Sequence, residues 1–119
     1  MAGEALFIGW GSVVSGREKR SLVVFQEAME YYARLQEEGR IDSFEVMLLA
    51  PHGGDLGGFI ILRGDRASLV EIRFSDEFER LTARATAVVN SVGVMPAYGG
   101  EALARQMGFF QEVADEFGS

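Results

Sequence analysis

The stretch Ile41-Asp42-Ser43-Phe44-Glu45-Val46-Met47-Leu48-Leu49-Ala50, then Pro51-His52-Gly53-Gly54-Asp55, then Gly57-Gly58-Phe59-Ile60-Ile61-Leu62-Arg63-Gly64, decides how the chain reads. Two apolar runs rich in strand formers flank a segment of proline, glycine and aspartate. Glycine supplies the positive φ values that tight connections need, so the stretch reads as a β-hairpin. A turn centred near Gly54 places Glu45 opposite Arg63, Met47 opposite Ile61 and Leu49 opposite Phe59. One face then collects Phe44, Val46, Leu48, Ile60 and Leu62 without a polar member, and it is expected to lie under helices. A slip of one residue would send every one of these side chains to the other face. Truncating Leu48 to alanine is accordingly expected to cost ~2–5 kcal/mol. The second face mixes Ser43, Glu45 and Arg63 with Met47, Leu49, Phe59 and Ile61.

Upstream, Ala5 to Val14 concentrates β-formers (Leu6, Phe7, Ile8, Trp10, Val13, Val14) and reads as a first strand, with Gly9 and Gly11 hinting at a bulge. Ser15-Gly16-Arg17-Glu18 has the form of a capping box. Leu22, Phe25, Met29 and Tyr32, with Ala28 and Leu35 beside them, then mark one helical face, and Tyr31 falls at its margin. Gly39 provides the left-handed residue that ends the helix. Downstream, Ala67 to Arg73 is a short helical segment, and Ser75-Asp76-Glu77 caps a second, with Phe78, Leu81 and Ala85 on its face. Val88 to Ala97 reads as a fourth strand closed by Pro96. After Gly99-Gly100, a last helix from about Glu101 to Phe117 carries Leu103, Met107, Phe110, Ala114 and Phe117 on one stripe. The order β-α-β-β-α-β plus a terminal helix is the ferredoxin-like, α+β arrangement: an antiparallel sheet with helices on one face.

Size and composition agree with one domain spanning 1–119. Hydrophobic residues make up 48% and charged residues 24% of the 119, as in ordinary globular proteins. The absence of cysteine excludes disulfides and thiolate ligands. A net charge of −7 repels phosphate backbones, and Arg17-Glu18-Lys19-Arg20 is the longest cationic run, so no nucleic-acid partner is expected. The apolar runs fall far short of the ~20 residues of a membrane span, and no signal-peptide pattern opens the chain. A cytoplasmic protein with no membrane partner is the expectation.

The quoted elements resemble the dimeric α/β-barrel superfamily. The likeness rests on Ser15-Gly16-Arg17-Glu18 entering the first helix, Glu38-Gly39-Arg40-Ile41 entering the second strand, and Gly57 to Leu62 in the third. Asp65 to Arg73 followed by Ser75-Asp76-Glu77-Phe78 completes it. The resemblance spans nearly the whole chain and is nearest to members without an assigned activity, with a hairpin similar to the YCII-related branch. The His/Asp pair proposed as catalytic in that branch has no matching positions here. The resemblance implies a homodimer whose two sheets face each other across a two-fold axis and enclose a cavity. Its members include cofactor-free monooxygenases, haem-handling enzymes, isomerases and stress-responsive proteins.

Physics points the same way, because monomers rarely expose an apolar patch such as Met47, Leu49, Phe59 and Ile61. Candidate ligand-binding residues are Glu45 and Arg63, set in a wall of Met47, Phe59 and Ile61, with Trp10 as a stacking surface. The alternative for the charged pair is a cross-strand salt bridge, and for Trp10 it is packing. His52 reads either as a general base oriented by Asp55 or as a turn residue. Tyr98 reads as a group at a cavity mouth or a cap on the sheet end. One histidine and no cysteine leave no metal site, and no glycine pair forms a phosphate cradle, so no cofactor is expected. Two functions compete: a dimer that binds or transforms a small organic molecule in its cavity, and a structural or partner-binding dimer whose second sheet face is only an interface.

Overall fold

A computed structural model describes residues 3–118. The elements are β1 (Glu4–Trp10), α1 (Glu18–Glu37), β2 (Ser43–Leu48), β3 (Gly58–Arg63), α2 (Arg66–Arg73), α3 (Asp76–Thr86), β4 (Gly93–Tyr98) and α4 (Gly100–Glu116). The strands form one antiparallel sheet in the order β2-β3-β1-β4, with α1, α2 and α3 on one side. This is the ferredoxin-like α+β arrangement expected from the element order. No helix among the described residues is long and apolar enough to cross a membrane.

Register divides the sheet into rows. Toward the helices lie Phe44–Leu62–Leu6–Pro96 and Val46–Ile60–Ile8–Val94; on the open side lie Ser43–Arg63–Ala5–Ala97, Glu45–Ile61–Phe7–Met95 and Met47–Phe59–Gly9–Gly93. The central strands supply the fully covered Leu6, Ile8, Ile60 and Leu62, which pack with Ala28, Tyr31, Tyr32, Leu35, Leu69, Ile72 and Phe78.

The hairpin register differs from the expected one by two residues. Glu45 opposes Ile61, Met47 opposes Phe59, and Ser43 is the residue opposite Arg63. The point of symmetry is Gly53, at φ 84, rather than Gly54. A shift of two preserves the alternation, so every hairpin side chain keeps its predicted face. Coverage of that face is uneven, however. Leu48 points to the helix side but is 70% exposed, because it ends an edge strand that α1 does not reach over, so the large truncation cost expected there does not apply.

The first helix begins later than its sequence suggests. Ser15 and Gly16 form a turn closed by Arg17 N–H to the Val14 carbonyl, and the N-cap is Arg17, without a side-chain bond. Glu18 does reach back, but it accepts from Gly16 N–H rather than from Ser15, so the capping box itself does not form. At the other end the bonds Gly39 N–H to Gln36 and Arg40 N–H to Leu35 make a Schellman stop around the positive φ of Gly39. Leu22, placed on the inner face by spacing, is 69% exposed, and Val24 takes the core position. Tyr31 is buried along with Tyr32, since α1 is covered by the sheet on one side and by α3 on another. The strands are also shorter than expected. β1 stops at Trp10 and β4 starts at Gly93; beyond them the pairing survives as a bridge between Val13 and Val89. Asp65 and Ser75 cap α2 and α3 through their side chains.

Candidate functional site

Two features on opposite sides of the sheet share the residues singled out from sequence. On the open side, Met47 and Phe59 stand opposite each other, and Ile61 opposes Glu45. Arg63 reaches diagonally to Glu45, Nη1 to Oε1 at 3.4 Å, with both side chains about half exposed. An ion pair so wetted is worth under ~1 kcal/mol. Sequence reading missed the two residues that complete this face, Phe7 and Met95. Phe7 stacks on Phe59 with centroids 5.3 Å apart and planes at 25°. Gly9 makes that possible, since a Cβ there would come within 2.7 Å of the Phe7 ring. The alternation Leu6-Phe7-Ile8 carried the signal, but only strand pairing shows which of the three faces out. The result is a largely apolar surface on which the Phe7 and Phe59 rings lie against each other.

Trp10 is not part of this surface. It points to the helix side, where its indole lies over Gly58; a Cβ on Gly58 would meet it at 2.7 Å. The ring meets Phe25 edge-on at 6.3 Å. Beside it opens a cleft of about 80 Å³ between the sheet, α1 and α3, lined chiefly by Trp10, Phe25, Tyr32, Leu81, Ala85 and Val89. Each element contributes through its helical or strand period: Phe25 and Tyr32 are two turns apart on α1, and Leu81 and Ala85 one turn apart on α3. The lining is almost wholly apolar. Thr82 spends its hydroxyl on the Phe78 carbonyl at 2.9 Å, and burial pushes the Tyr32 phenol well above its ordinary pKa, so it stays protonated. Such a lining suits shape-based binding of an apolar group.

His52 sits in the loop closing the hairpin, apart from both features. Its Nδ1 accepts from Gly54 N–H at 3.2 Å, which leaves Nε2 as the donor to the Leu56 carbonyl at 2.7 Å. These bonds tie the loop to itself. Asp55 does not orient the ring, contrary to the general-base reading. Tyr98, at the end of β4 opposite Glu4, borders a second cleft with Arg66, Arg73 and Phe74, away from the Trp10 cleft.

The sheet order, the helical layer on one face and the uncovered second face define a ferredoxin-like fold of the kind found in dimeric α/β proteins. Neither a family model nor a curated protein matches the sequence. Solved structures do match the fold. One is a dimeric ferredoxin-like protein of unknown function from Bacteroides fragilis (TM-score 0.58, 14% identity, 82% of this chain and 97% of that one). Another is SnoaB, a cofactor-independent oxygenase from Streptomyces nogalater (TM-score 0.60, 14% identity, 86% and 98%). A dabb family protein from Mesorhizobium loti is similar to the same degree (TM-score 0.59, 14% identity, 82% and 98%).

Proposed function

We propose that the chain works as a homodimer closed across its open sheet face, and that each protomer receives a small apolar organic group in the cleft beside Trp10. The lining of that cleft carries the reading: aromatic and aliphatic walls, with the Thr82 hydroxyl already bonded and the Tyr32 phenol neutral. At about 80 Å³ it has roughly half the volume of the ~150 Å³ apolar cavity that admits benzene. It therefore takes the tip of a ligand whose remainder extends outward. In this reading Glu45, Arg63, Met47, Phe59 and Ile61 serve the interface, with Glu45–Arg63 at its edge fixing how the copies meet, while Trp10 serves the ligand. The dimeric description of the Bacteroides fragilis relative and the apolar open face support the first half.

Trp10 is the sole tryptophan of the chain, so its emission reports on the cleft alone. Titration with hexanol, toluene and naphthalene should give a saturable emission change that Ala85→Leu abolishes and Arg63→Met leaves intact. Light scattering should give twice 13.0 kDa, about 26 kDa. Emission that drifts without saturating would leave the alternative, a dimer whose open face is interface only. A mass of 13.0 kDa at tens of micromolar would defeat the dimer.

A further inference from the structure

Helix α4 carries an apolar stripe that the described residues of its own protomer leave largely uncovered. It packs on β4 at its root, where Ala102 is buried, and then projects, so the longest dimension of the molecule is 52 Å. The radius of gyration, 16.4 Å, exceeds the ~13.5 Å of a compact chain of this length. Leu103, Met107, Phe109, Phe110, Val113 and Phe117 are all exposed, Phe110 at 68% and Phe117 at 75%. At ~100 Å² of exposed apolar surface each, they offer ~600 Å² per copy, close to the ~800 Å² per partner of a standard interface. A lone helix of this length is marginal in water and draws its stability from packing.

The charged residues of the distal half of α4 are all acidic: Glu112, Asp115 and Glu116 flank Phe110, Val113 and Phe117. That charge disfavours an anionic lipid surface. Among the described residues a groove of complementary character runs between the first turns of α1 and the end of α3; the cleft of Arg66, Arg73 and Phe74 also carries arginines, but it includes Glu4 and lies beside Tyr98 at the root of α4 itself. The floor of the α1–α3 groove is Val23, Val24 and Val88, and Arg17, Arg20 and Arg84 stand around it. The guanidinium of Arg17 is fixed there by the Ala87 carbonyl, and Arg84 by Glu27. The groove is also distant from the root of its own α4. Val14 N–H bonds the Val88 carbonyl at the far end of the sheet, whereas α4 springs from Tyr98 beside Glu4. From Glu4 to Val13 is nine steps along the chain, at most ~30 Å if extended.

The geometry points to a reciprocal arm exchange: the distal half of α4 of one copy lies in the α1–α3 groove of the second copy, acids against Arg17 and Arg20, since Arg84 is paired with Glu27, and phenylalanines against the valines. This rests on the dimer proposed above and adds where its arms go. Because the chain contains no cysteine, disulfide trapping tests it directly. Val23 and Val113 are both exposed, so Val23→Cys combined with Val113→Cys should fold and, under mild oxidation, give a covalent dimer that neither single variant gives. Arg20→Glu should weaken the dimer about tenfold, with recovery on adding Glu116→Arg. A double-cysteine variant that elutes as a dimer yet stays uncrosslinked overturns the arm exchange and leaves the dimer standing. Full crosslinking by Val113→Cys alone would put α4 against α4 and also overturn it. Monomeric elution of the unaltered chain would instead remove the dimer itself.

Discussion

Leu62 and Leu48 form a paired experiment on one sheet, since both point toward the helices and only one is covered. Leu62 has no exposed surface; Leu6 and Phe44 oppose it on the neighbouring strands. Changing it to alanine removes three carbons, ~2.4 kcal/mol at ~0.8 kcal/mol each. A residual void of ~50 Å³ adds about 1 kcal/mol. Leu48 keeps only about three tenths of its surface from water, so the same truncation there loses ~0.7 kcal/mol and leaves no void. The difference of nearly 3 kcal/mol should separate the two urea midpoints by roughly 1.5 M at an m-value near 2 kcal/mol/M. Equilibrium unfolding followed by far-UV circular dichroism, with both variants at one protein concentration because dimerisation is linked to stability, reads this directly. Equal midpoints would refute the claim that α1 leaves the edge of β2 uncovered.

The remaining predictions concern charge and titration. Burial raises the Tyr32 phenol, which favours its neutral form in the folded state. Its contribution to stability is thus complete below pH ~10, the unfolded value, and is lost as the pH climbs beyond it. Spectrophotometric titration of Tyr32→Phe should show a loss of the latest-ionising phenol and a flatter alkaline stability profile; an unchanged profile contradicts the burial. The Arg84 hydrogen bonds hold Glu27 below the usual carboxylate range, so their contribution is present above pH ~4.3 and fades as the solution is acidified. Arg84→Met should therefore make acid unfolding less steep, and an identical acid profile would show the pair to be inert. Arg63→Met should change stability by less than ~1 kcal/mol in a thermal or urea melt, and a larger loss would mean that the Glu45 pair is far drier than a half-exposed contact.

The sequence by itself determined the element order, the helix stop at Gly39, the cap at Ser75, and which hairpin residues share a face. These follow from local chemistry: a glycine with positive φ, a side-chain oxygen within reach of a free N–H, and a strand period of two. The same period explains why the face assignment survived a register wrong by two residues. Alternation reports parity, whereas the choice between Gly53 and Gly54 as the centre depends on how the whole loop from Leu49 to Gly57 closes, with His52 bonding Leu56. Tertiary structure alone decided the rest. Leu48 is apolar at an inward-facing position, yet nothing reaches over it, because coverage depends on where a neighbouring helix ends; Leu22 lies off the face of α1 that Val24, Ala28, Tyr31 and Leu35 bury. Tyr31 and Tyr32 are both buried because α1 is packed on two sides, which a single amphipathic stripe does not encode. Trp10 separated from Glu45 and Arg63 once pairing with Gly58 fixed the parity of β1. Its orientation depends on a strand more than forty residues away in the chain, beyond the reach of local pattern.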